Sequence, residues 1–73
     1  MPERRIFTFD TTHHALWAEE VAREREIPAE AIPAPAAANA RCSLALETLH
    51  GDVARLSGAL EDEGVPFALY SPE

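Results

Sequence analysis

Seventy-three residues make one small domain, taken as residues 1–73. Thirteen Asp and Glu stand against six Arg and no Lys, a formal net charge of −7, which argues against sequence-independent nucleic-acid binding. The single cysteine, Cys42, cannot staple its own domain, which excludes the disulfide-rich secreted class and fits a reducing compartment.

In chain order, Arg5 to Phe9 are β-branched and aromatic and stop at Asp10, so residues 5–9 are read as a first strand. Asp10, Thr11 and Thr12 offer three N-caps in a row. His13 to Glu26 has no Gly or Pro, and Ala15, Ala18, Val21, Ala22 and Arg25 recur at helical spacing. This predicts an amphipathic helix packed through small residues and ended by Ile27-Pro28. Trp17 lies off that stripe and is either a flank of the core or an exposed contact.

Residues 29–33 form a short second strand, confined to an edge by Pro33 and Pro35, and residues 34–41 read as a loop. From Cys42 to Leu49 the chain alternates, with Cys42, Leu44 and Leu46 on one face and Ser43, Ala45 and Glu47 on the other, as in a third strand. His50-Gly51-Asp52 turns the chain, with Asp52 as N-cap of a second helix. Its stripe is Val53, Leu56 and Leu60, with Glu61, Asp62 and Glu63 as a solvated end and Gly64 as terminator. Residues 66–70 close the chain as a fourth, edge strand. The order β-α-β-β-α-β specifies an α+β, ferredoxin-like fold: a four-stranded antiparallel sheet with two helices on one face.

That topology brings distant residues to one rim. The start of the third strand lies beside the end of the first, so Cys42 should approach Asp10, Thr11, Thr12, His13 and His14, with Pro33, Pro35, Arg41, Ser43 and Gly64-Val65 nearby and His50 at the opposite rim. A helix N-terminus and an adjoining Arg41 both favour a thiolate, which makes Cys42 a candidate reactive thiol. The competing reading shares its face with Leu44 and Leu46 and makes it a small core residue. Metal binding through Cys42 and His13 is a third reading. It leaves a structural zinc short of ligands even with Asp10, because adjacent histidines on a helix diverge by about 100°. No Gly-rich phosphate loop, nucleophile elbow or paired-carboxylate pattern calls for a cofactor or a catalytic residue. A domain this small also has little interior for a substrate pocket, which favours a carrier or subunit over an enzyme. No apolar run reaches the ~20 residues that cross a bilayer. No apolar h-region follows Met1-Pro-Glu-Arg-Arg5, and the expected location is the cytoplasm.

Over about residues 6–70 the chain resembles the selenium/sulfur (Se/S) carrier protein-like family, a small domain family of unknown function. The resemblance rests on Phe9 to Leu16, Ala18-Glu19, Ile27-Pro28, Ile32-Pro33-Ala34-Pro35, Cys42 to Leu46, Gly64-Val65 and Leu69-Tyr70. It implies that Cys42 carries sulfur or selenium as a persulfide or selenopersulfide, between a desulfurase-type protein donor and a protein acceptor. Thr11, Thr12, His13, His14, Pro33, Pro35, Arg41 and Ser43 would then be its supporting rim. Ala34, Ala36 and Ser43 stand where relatives usually have Thr, Arg and Gly, so the rim lacks a hydroxyl and a cation. The alternative is a non-catalytic interaction or subunit domain, with Cys42 structural and a homodimer formed through the first helix or the sheet.

Overall fold

Arg4–Thr8 form the first strand, β1, in a computed structural model that describes residues 4–35 and 43–70. Helix α1 (Thr12–Glu24), strands β2 (Ala29–Pro33) and β3 (Leu44–Leu49), a 3₁₀ turn (His50–Asp52), helix α2 (Val53–Glu63) and strand β4 (Ala68–Tyr70) follow. The strands make one antiparallel sheet in the order β2-β3-β1-β4. This is the expected ferredoxin-like arrangement, with both proline-flanked strands at the edges.

Side-chain alternation decides what the sheet offers its helices. Phe7 of β1 sits opposite Leu46 of β3, so both point to the same face, and both are fully buried. They join Leu56, Ala59 and Leu60 of α2 and Ala15, Ala18, Val21 and Ala22 of α1 in one core. The Phe67 ring lies 5.2 Å from that of Phe7, tilted by 49°, a favourable aromatic geometry. The sequence stripe of α1 is thus the buried one except for Arg25, which lies beyond the helix and remains accessible. Two buried hydroxyls are satisfied by backbone carbonyls: Thr48 Oγ1 donates to Pro28 at 2.6 Å, and Thr8 Oγ1 to Ala68 at 3.4 Å.

Several boundaries differ from expectation, each for a local reason. α1 stops at Glu24, before Ile27-Pro28, because the chain turns left-handed at Glu26 (φ 57°). The N–H of Glu26 donates to Arg23 and that of Ile27 to Ala22, with Ile27 buried beneath the turn, which is the Schellman pattern. α2 ends in the same pattern, with Gly64 (φ 79°) donating to Glu61 and Val65 to Leu60. Asp52 does not cap α2. The preceding 3₁₀ turn holds it out of the extended conformation that capping uses, and its carboxylate instead takes Arg55 at 3.0 Å. β3 begins at Leu44 rather than Cys42, since β1 has left the ladder at Thr8 and β2 ends on a proline. β4 begins at Ala68, after Pro66.

The acidic end of α2 is not merely solvated. Arg25, just past α1, reaches Glu63 at 3.0 Å and Asp62 at 3.5 Å, and ties the two helix ends together. Its hydrogen bond to Glu63 holds the guanidinium above its ordinary pKa, against a smaller opposing effect of desolvation. The cation offsets the unfavourable placement of two acids at a helix C-terminus.

The glycines of α2 should respond to alanine with opposite signs. At neither would a Cβ meet any atom within 4 Å, but only Gly64 has a positive φ. Gly58→Ala is expected to stabilise by about 1 kcal/mol through helix propensity, and Gly64→Ala to destabilise by about 1 kcal/mol through backbone strain. Thermal unfolding of the two variants checks both signs.

Candidate functional site

The register locates the rim. Thr8 pairs with Ala45, so the end of β1 lies beside the start of β3, and two residues later the chain enters α1. Pro33 pairs with Leu44, which brings the end of β2 to the same place, and Ala68 pairs with Thr8, which adds the start of β4. His50 follows Leu49, whose partner is Arg4, and so sits at the far end of the sheet. The ladder between β2 and β3 continues one step past the strands: the Ala34 N–H donates to the Ser43 carbonyl at 2.9 Å. That bond runs through backbone, so it is indifferent to the side chains at the two positions. It anchors the chain one residue after Cys42.

Of the predicted site residues, Thr11, Thr12, His13 and His14 lie at the start of α1, and Pro33, Pro35 and Ser43 lie from the end of β2 to the start of β3. Cys42 and Arg41 lie outside the described residues, as does Ala36. Thr11 is the N-cap among the three candidates. Its backbone is extended (φ −139°, ψ 156°), and its Oγ1 accepts the His14 N–H at 3.1 Å. The Thr11 carbonyl accepts the Ala15 N–H at 3.2 Å.

The two histidines have different surroundings. His13 is exposed, whereas His14 is half-buried, and its Nδ1 is buried with no hydrogen-bond partner among the described residues. A buried ring nitrogen of this kind is available to a donor or acceptor arriving at the rim. The His13 and His14 rings are 6.0 Å apart, and each lies 6.5 Å from the Trp17 indole. Among the described residues no three His, Cys, Asp or Glu side chains group as metal ligands. None of their helices is long and apolar enough to cross a membrane.

Sequence reasoning left Trp17 open between core and surface. It lies outside the core, 37% exposed, beside Leu16 at 51%. With His13 and Glu20 the two line an open groove of about 450 Å³. The signal was present as two large apolar residues off the alanine stripe. The Arg25 clamp escaped notice because its acids are distant in sequence.

Loss of the Thr11 hydroxyl should uncouple capping from packing. Thr11→Ala is expected to lower stability by about 1 kcal/mol, and Thr11→Ser to keep most of it. Chemical denaturation of both variants measures the difference.

No curated protein matches the chain, and no solved structure does. The sequence model of the family described as "Putative Se/S carrier protein-like" matches residues 4–71, from the first residue of β1 to just past β4. On that match over nearly its whole length, the chain belongs to the Se/S carrier protein-like family.

Proposed function

We propose that this protein is a sulfur or selenium carrier that holds the atom on Cys42 and has no turnover of its own. The observation that carries this reading is the family match over residues 4–71. The rim supports it. Ser43, the next residue after Cys42, is held at the rim of the sheet where α1 begins. The positive end of the α1 dipole, with Thr12, and the His14 Nδ1, without a partner among the described residues, are suited to stabilise an anionic thiolate or persulfide.

In the proposed cycle the Cys42 thiolate attacks the outer sulfur of a donor's persulfide. A new S–S bond forms to Cys42, the donor S–S bond breaks, and the donor sulfur leaves as thiolate. The acceptor then attacks the outer sulfur of the Cys42 persulfide with its own thiolate and releases Cys42. Each step exchanges one bond for another, with no net oxidation, and selenium follows the same path. A desulfurase-type enzyme is the proposed donor, the acceptor is a second protein, and the proposed compartment is the reducing cytoplasm.

Incubation with a cysteine desulfurase and cysteine without oxygen is expected to raise the intact mass by one sulfur atom, reversed by a thiol reductant. Equal loading of Cys42→Ser would sink the proposal. Maleimide near neutral pH separates it from the structural role of Cys42: the native thiol is expected to react before unfolding. Reaction only after denaturation would make Cys42 a core residue of an interaction domain.

A further inference from the structure

The outer face of α1 combines features that the sulfur chemistry does not use. Helical spacing aligns His13, Leu16, Trp17, Glu20 and Glu24 along one strip pointing away from the core. Leu16 and Trp17 are exposed and border the groove that Glu20 closes. Among the described residues Glu20 and Glu24 have no ion pair or hydrogen bond, whereas Glu19 on the flank reaches Arg23 at 4.0 Å. Exposed tryptophan beside leucine is unusual on a surface that must stay soluble, and tryptophan is enriched where binding energy concentrates.

Charge selects the occupant. The chain carries −7 overall, and Arg4, Arg23, Arg25 and Arg55 each already pair with a carboxylate of their own chain. A second copy would therefore bring acid against Glu20 and Glu24 with few cations to answer it. Nucleic acid and anionic lipid are repelled for the same reason. A basic partner is attracted, and its cations can be received by both carboxylates and by the face of the Trp17 indole.

We propose that the Leu16–Trp17–Glu20–Glu24 face of α1 docks a basic segment of a partner protein. An apolar side chain of that segment seats on Leu16 and Trp17. A Lys or Arg about one helical turn away, ~5.4 Å along, meets Glu20 and Glu24. The site is a recognition surface that adjoins the rim at His13 and takes no part in its sulfur chemistry.

The test uses a fluorescein-labelled, acetylated helical peptide with leucines on one face and lysines beside them, titrated by anisotropy at physiological salt. Saturable binding is expected. Trp17→Ala, checked for folding by circular dichroism, is expected to weaken it about tenfold. Glu20→Gln with Glu24→Gln is expected to weaken it about threefold or more, and Glu30→Gln with Glu61→Gln, equal in charge, less than about twofold. The proposal is overturned by absence of saturable binding, by indifference to Trp17→Ala, or by equal losses in the two double variants, which would indicate general charge attraction. A dimer in analytical ultracentrifugation that Trp17→Ala dissolves would make a second copy the occupant and overturn it equally. Every arm is expected to read the same in Cys42→Ser, so failure here leaves the carrier reading standing.

Discussion

The pairing of β1 with β3, with Phe7 opposite Leu46, is the constraint on which the rest of the molecule depends. Both side chains are fully buried and supply the sheet's half of the core. Because side chains alternate, a slip of one residue would place Phe7 and Leu46 on opposite faces of the sheet, so that only one of them could meet the helices. The same pairing brings the end of β1 to the start of β3. The N-terminus of α1 and the segment that follows Cys42 thus share a rim as a consequence of core packing.

Small residues complete that arrangement. Ala15, Ala18 and Ala22 are buried on α1 and leave the large side chains to the sheet and α2, so α1 can lie close over Phe7 and Leu46. The larger residues of α1, Leu16 and Trp17, consequently remain outside. One helix in this way serves three purposes. Its alanine face holds the fold, its N-terminus borders the rim where β3 begins, and its outer strip offers an aromatic and acidic surface.

Most of the architecture was legible in local sequence. Pro33 and Pro66 marked the edge strands because proline cannot donate to a ladder, and the alanine stripe marked the buried face of α1. What was not legible involved competition between partners. Asp52 has the side chain of an N-cap but is held by a 3₁₀ turn and bonded to Arg55. Glu26 adopts a left-handed conformation usually left to glycine, so its sequence gave no sign of the helix end two residues earlier. Glu61-Asp62-Glu63 has the composition of a solvent-facing run, yet Arg25 binds two of its members across a gap in sequence that no local pattern reveals.

The sequence by itself determined a small acidic α+β domain of the Se/S carrier protein-like family, with one cysteine. Periodicity and proline placement suffice for that, since they are local properties of the chain. Only the tertiary structure decided how the acid is distributed. Asp52, Asp62 and Glu63 are committed to arginines of the same chain, while Glu20, beside Trp17, and Glu24 have no ion pair among the described residues. It also decided that Thr11, rather than Asp10 or Thr12, caps α1, and that His14 keeps a buried nitrogen without a partner among the described residues. The Arg25 pairs join residues far apart in sequence, at distances that only the packed helices set, whereas the Thr11 cap and the Asp52 pair turn on local backbone conformation.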